Sequence, residues 1–226
     1  MIDIEKNYRA LQRRIQSSLA LTNQKESAFK VVAVSKKRSL EDIETVYKLG
    51  LNNFGENFVQ EAMKKIKAFK HKAIWHFIGS IQSNKVKPIS ENFDWVHTIT
   101  RYSIAEKLNK HRPKSLPPLH VCIQIQLHQD DSRNSLPINQ LLAMATKIEK
   151  LPNLKLRGLM GMTRFNAPEE ERHQSYRIMG TESQNLKDHG FEIDTLSMGM
   201  SDDLEIAIHN HANMIRIGTA LFGQRQ

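Results

Sequence analysis

The stretch FKVVAVSKKRSLEDIETVYKLGLNNFGEN, residues 29–57, holds a complete strand–helix–strand unit. Phe29–Ser35 is a short apolar run, rich in valine and bounded by polar residues, and a run of this length predicts a buried strand rather than a helix. Ser39 follows as a helix cap, with Glu41 and Asp42 in the first turn, where carboxylates complement the helix dipole. Ile43, Val46 and Tyr47 give the helix one apolar face, and Gly50 supplies its stop. Asn53–Gly55 begins the next strand.

The same alternation recurs outward from this unit. Strand-like runs lie at Ile74–Ile78, Trp95–Ile99, Leu119–Leu127, Leu156–Met160, Thr195–Met198 and Met214–Ile217. Helical patterns separate them at Phe58–Phe69, Asn84–Ser90, Ser103–Lys110, Ile138–Leu151, Pro168–His189 and Asp202–His211. Eight strands alternating with helices predict an α/β fold with a parallel sheet, which closes most naturally into a (β/α)8 TIM barrel. Ile4, Tyr8, Leu11, Ile15 and Leu19 share one face of an extra N-terminal helix. Little chain follows the last strand, so that first helix is expected to take the outer position left open there. No composition break divides residues 1–226, and a single domain is expected.

The chain has 226 residues, enough to bury about 70–75% of its unfolded surface without covalent staples. Its 33 basic and 24 acidic residues leave a net charge of +9, which attracts anions without specifying a fold. A lone cysteine, Cys122, excludes an internal disulfide and fits a reducing compartment; its apolar surroundings predict a small buried thiol. No apolar run approaches the ~18 residues that span a bilayer, and the segment MIDIEKNYRALQRR reads as neither signal nor transit peptide. A soluble cytoplasmic protein with no membrane partner is expected. Lys64, Lys65, Lys67, Lys70 and Lys72 read as a solvated helix face and its exit; with few interleaved aromatics, no specific nucleic-acid binding is expected. His209 and His211 stand on different helix faces, no CxxC or HExxH element occurs, and no metal site is predicted. Glu169, Glu170 and Glu171 open a helix and need only complement its dipole.

Chemistry in such barrels sits where the strands end at their C-terminal edge. There the chain places Ser35-Lys36-Lys37, Gly55-Glu56-Asn57, His76 with Gly79-Ser80, Gly199-Met200-Ser201, and Arg216 with Gly218-Thr219. Side chains alternate along a strand, so only one of Lys36 and Lys37 can point inward with the valines. Desolvation would favour a neutral amine able to form a Schiff base, whereas a solvated strand end would leave both lysines inert. The glycine-bearing stretches after strands seven and eight, with Ser201 at an N-cap position, suit a phosphate cradle or simply ordinary turns. Arg216 inside an apolar strand implies either a structural ion pair, with Glu56 as a candidate partner, or a ligand acceptor in the mouth.

VVAVSKK, FGENFVQEAMKKI, WHFIGSIQSNK, LRGLMGM, LSMGMSDDLEIAI and MIRIGTALFG together resemble the pyridoxal phosphate homeostasis protein family, which is similar to the barrel domain of alanine racemase. The resemblance runs from about Phe29 to Gly223. It implies pyridoxal 5′-phosphate held as an aldimine on Lys36, with Asn57 against the ring or its hydroxyl. It also implies Met200, Ser201, Gly218 and Thr219 around the phosphate, Arg216 facing the pyridine nitrogen, and His76 lining the mouth. Arginine can only donate, so that nitrogen would stay neutral and act as a weak electron sink.

The function so implied is vitamin B6 homeostasis and amino/keto acid balance without efficient catalysis. The partners implied are pyridoxal phosphate itself and pyridoxal-phosphate-dependent apoenzymes as recipients, and a monomer is expected. The alternative is an amino-acid racemase of the same barrel type. In that family the chemistry needs a tyrosine delivered by an additional β domain, which is not expected with 226 residues read as one domain, and Tyr8, Tyr47, Tyr102 and Tyr176 fall in helical patterns. Two departures from the family stand out: His211-Ala212-Asn213 replaces a Gly-x-Thr element, and Gln126, Asp130, Arg133 and Ser135 occupy the loop after strand five. Both are expected to alter the pocket rim.

Overall fold

The computed structural model describes residues 3–22, 24–128, 134–164 and 166–224. Strands β1 (Lys30–Val34), β2 (Asn53–Glu56), β3 (Ile74–Phe77), β4 (Trp95–Ile99), β5 (Leu119–Gln124), β6 (Leu154–Met160), β7 (Thr195–Ser197) and β8 (Met214–Ile217) pair in parallel and in chain order. β8 closes on β1 with Val32 opposite Arg216. The expected barrel is therefore present. Helices α1 (Ile4–Leu19), α2 (Leu40–Lys48), α3 (Val59–Ala68), α4 (Val86–Asn92), α5 (Tyr102–His111), α6 (Leu141–Glu149), α7 (Glu169–Asp188), α8 (Leu204–His209) and α9 (Thr219–Phe222) surround it. Because α9 is a single turn, α1 packs against α8, α9 and α2 and covers the barrel's last seam.

Strand alternation divides the core. Val32, Trp95, Cys122, Met160 and Met214 fill the barrel interior. Ala33, Phe54, Trp75, Phe77, Val96 and Ile215 point outward into the larger layer beneath the helices. Full burial of a side chain such as Phe54 or Phe77 contributes about 1.5–3 kcal/mol. Local chemistry agrees with this arrangement at α2, where Ser39 and Asp42 form a reciprocal capping box and Gly50 ends the segment at φ +100°.

Element ends moved by a few residues, each for a local reason. The run expected to reach Leu127 leaves the sheet after Gln124, and Ile125 makes only an isolated bridge to Leu136. The helix expected from Asp202 begins at Leu204, after a turn closed by the Met200 N–H donating to Asp203.

The His211–Asn213 departure lies at the N-terminal edge of β8, opposite the mouth, so the expectation that it alters the rim is corrected. Asn213 ties neighbouring strands there: its carbonyl accepts from the Lys30 N–H, and its Oδ1 accepts from the Leu196 N–H. Of the β5 loop residues, Asp130 and Arg133 lie outside the described residues; the Gln126 N–H donates to the Leu136 carbonyl.

His211 is exposed and holds φ +69°, a left-handed conformation that costs an L-residue about 1–2 kcal/mol. Glycine avoids that strain but loses more chain entropy on folding. His211→Gly is therefore expected to stabilise the fold by about 0.5–1 kcal/mol. Urea unfolding at fixed pH checks it, and an unchanged or lower midpoint would contradict it.

Candidate functional site

Lys36 and Lys37 both lie in a turn just beyond β1, closed by the Arg38 N–H donating to the Ser35 carbonyl (3.0 Å). Lys37 takes φ +58°, and its N–H donates to Glu61. The turn separates the two lysines: Lys36 is half-buried, whereas Lys37 is exposed. Behind the turn, Ser35 Oγ donates to Glu56 Oε1 (2.6 Å). Lys65 Nζ donates to the Ser35 carbonyl (2.6 Å), to Glu56 Oε1 (2.8 Å) and to Glu61 Oε1 (2.6 Å). Lys65 is thus buried and does not belong to a solvated face, because the carboxylates of β2 and α3 draw its ammonium under the β1 turn. Burial raises the Glu56 pKa, while Lys65 and Ser35 oppose that shift.

Val34 pairs with Gly55, so Lys36 and Asn57 each lie two residues beyond a matched position on adjacent strands. Asn57 Oδ1 is buried and has no hydrogen-bond partner among the described residues. The Asn57 backbone also requires Gly79: a Cβ there would sit 2.2 Å from the Asn57 carbonyl oxygen. On the other side of β1, a Cβ on Gly218 would meet only Val34, at an ordinary 3.6 Å. Packing does not demand glycine at 218; its effect is to leave space at the mouth.

The turns after β7 and β8 meet where Ser201 Oγ accepts from the Ala220 N–H (3.0 Å). Ser201 therefore bridges the two turns instead of capping α8, as its sequence position suggested. Asp203 occupies the N-cap position: its Oδ1 accepts from the Met200 N–H (2.7 Å), and its Oδ2 accepts from Tyr176 Oη (2.6 Å) and Thr163 Oγ1 (3.0 Å). The buried Asp203 carboxylate thus fixes the Met200–Ser201 turn against α7. Gly218 and Thr219 stand at the start of α9, beside the amide that Ser201 holds.

Arg216 does not pair with Glu56, which points outward to α3. Its Nη1 donates to Ser197 Oγ (2.8 Å) and its Nη2 to the Gly161 carbonyl (2.9 Å), holding the guanidinium inside the barrel. Ser197 Oγ is also 2.8 Å from His97 Nδ1, His97 Nε2 is 2.9 Å from His76 Nδ1, and His76 Nε2 is 3.0 Å from Asn53 Oδ1. His76, expected at the mouth, is instead fully buried within the barrel and stacks on Trp95. Burial lowers the His76 pKa to about 3, with Lys30 and His120 adding to the shift, and lowers that of His97 well below its ordinary value. Cys122 is buried as expected, and desolvation pushes its thiol up to about 12.

Sequence reading missed His97, Ser197, Asp203 and the anchoring part of Lys65. The signal that flagged Arg216, a polar residue at an inward-facing strand position, would also have flagged His97 and Ser197. Asp203 and Lys65 carried no comparable signal, since acidic and basic residues in helical stretches are usually solvated.

Comparison with known proteins bears on the family and the fold. The profile of the alanine racemase N-terminal domain matches residues 3–226. The pyridoxal phosphate homeostasis protein of Pasteurella multocida is 43% identical over 227 residues, covering 98% of this chain and 97% of that one. Its counterpart in Escherichia coli K12 is 40% identical over 232 residues, covering 100% and 98%. Among solved structures, PipY of Synechococcus elongatus, described with PLP bound, superimposes with a TM-score of 0.87 at 28% identity, covering 98% of this chain and 100% of that one. An alanine racemase of Clostridium difficile reaches a TM-score of 0.80 at 15% identity, covering 97% of this chain but 60% of that one; this likeness concerns the fold alone.

The buried histidines set an acid limit on stability. Their folded-state pKa values lie below the ordinary 6.5, so as pH falls the unfolded chain binds protons first. Below about pH 6.5, stability should therefore fall by about 1.4 kcal/mol per pH unit for each of the two, a loss that continues toward pH 3 for His76. Denaturant titrations at pH 7 and pH 5 measure this, and a flat profile would mean that both histidines are already charged in the fold.

Proposed function

The chain belongs to the pyridoxal phosphate homeostasis protein family, built on the alanine racemase N-terminal domain, and from that membership we propose that it binds pyridoxal 5′-phosphate at the barrel mouth through a Schiff base with Lys36. One observation of the fold carries the reading: a buried Asn57 oxygen without a partner stands beside the turn that presents Lys36. An unsatisfied buried acceptor costs about 1–3 kcal/mol, and a ring hydroxyl is a donor that would relieve it. The solved structure of PipY, described with PLP bound, supports the same ligand.

The other mouth residues fit this group. Ser201, Gly218 and Thr219 form the joined turns suited to the phosphate, and Gly218 keeps that side open. Met200 belongs to the same turn, but its N–H already serves Asp203, so its share is to shape the cradle. Bound pyridoxal phosphate supplies an aldehyde that captures amines and a ring that spreads negative charge. Arg216, always protonated, presents only donors and would leave the pyridine nitrogen unprotonated.

This arrangement suits holding the cofactor better than turning over an amino acid. Tyr8, Tyr47 and Tyr102 lie on the outer helices α1, α2 and α5, and Tyr176 is buried with its hydroxyl committed to Asp203. None offers the second acid/base of a racemase. The proposed role is to keep a reactive aldehyde bound, to release it to apoenzymes that need it, and so to influence amino/keto acid balance, as a cytoplasmic monomer.

Purified protein saturated with pyridoxal phosphate should be yellow, and borohydride reduction followed by peptide mapping should place the label on Lys36. Lys36→Ala should stay colourless. Label on Lys37, or no covalent label after saturation, would overturn the assignment. In the same preparation, exchange of the alanine α-proton should not exceed that caused by free pyridoxal phosphate; a much faster rate would restore the racemase alternative.

A further inference from the structure

A hydrogen-bonded file crosses the barrel interior from Asn53 to Arg216 through His76, His97 and Ser197. Its two ends have fixed character. Arg216 can only donate, and Asn53 is oriented by its Nδ2 donating to Asn52 Oδ1 (2.8 Å), which leaves Asn53 Oδ1 to accept. His76 Nε2 must then carry a hydrogen. In a neutral ring His76 Nδ1 accepts, so His97 Nε2 donates and His97 Nδ1 accepts in turn. Ser197 gives its only hydrogen to His97, and its oxygen is held open toward Arg216.

Running the file in reverse would require a hydrogen on both nitrogens of His76. That imidazolium would be fully buried, with the Lys30 ammonium adding repulsion. Isolated buried charges of this kind are strongly disfavoured.

We propose that His76 and His97, both as neutral Nε2–H tautomers, are positioning residues that orient Ser197 Oγ and thereby lock the Arg216 guanidinium toward the mouth. This deepens the cofactor reading and rests on it for its consequence, since Arg216 is the group assigned to face the pyridine nitrogen. The relay itself is a property of the protein alone. The cofactor's electronic state would then depend on two side chains that never touch it, in the way that outer partners orient inner ones at ligand sites.

Two measurements test this. Long-range ¹H–¹⁵N spectra of histidine-labelled protein at neutral pH, recorded without pyridoxal phosphate, should show both rings in the Nε2–H form. An Nδ1–H tautomer or an imidazolium at either position would overturn the relay, and this result stands even if Lys36 takes up no cofactor. In titrations with pyridoxal phosphate, Ser197→Ala should weaken binding about tenfold, the size of one lost hydrogen bond to a charged group, and shift the absorbance maximum of the bound cofactor. Ser197→Thr, which keeps the hydroxyl, should restore both. A Ser197→Ala protein with unchanged affinity and spectrum would end the positioning role.

Discussion

Closure of β8 on β1 is the constraint on which the site depends. These strands lie at opposite ends of the chain, yet their register sets Arg216 opposite Val32 and carries Gly218 to the side of Val34. With β2 on the other flank of β1, the same pairing gathers Lys36, Asn57 and the turn at Gly218 around one opening. A parallel barrel places all its strand ends on one rim, so residues with no local relation in sequence become neighbours there. Each neighbour is then fixed by a separate device: Lys65 behind the β1 turn, Asp203 beneath the β7 turn, and the histidine file under Arg216.

These devices put polar groups where an apolar core would be simpler. Glu56, Lys65, His76, His97, Ser197, Asp203 and Arg216 are all buried. Apart from Glu56 Oε2, which has no hydrogen-bond partner among the described residues, their desolvation is offset by hydrogen bonds that run in connected sets, a condition under which buried polar networks become specific instead of merely costly. The network at Lys65 lies outside the barrel wall and the histidine file within it. The two therefore hold the mouth from opposite faces of the sheet.

Much of this was readable in advance, and the divide has a physical basis. The eight-strand alternation, the Ser39 cap, the Gly50 stop and the covering helix α1 are local or periodic signals, and periodicity survives in a single sequence. Attention fell on Lys36, Lys37 and Arg216 because strand ends in a barrel are special and because charge in an apolar strand is rare, whereas the choice of Lys36 and the role given to Asn57 came from the family resemblance. Lys65 was misread because four similar lysines surround it, and only the carboxylates brought in by folding distinguish it. His76 was placed too high because the sequence gives a strand's direction without its depth within the closed barrel. Ser201 was read as a cap because a serine before a helix usually is one, whereas its partner Ala220 lies on the next turn.

The helix that covers the last seam has a consequence for how the molecule is made. Asn7 Nδ2 donates to the carbonyl of Leu221, and Arg14 pairs with Glu205, so these partners of α1 are made about 200 residues after it. At elongation rates of about 5–20 residues per second, roughly 200 residues take on the order of ten to forty seconds to synthesise. Through that interval the side of α1 that meets α8 and α9 stays uncovered, while its contact with α2 can already form.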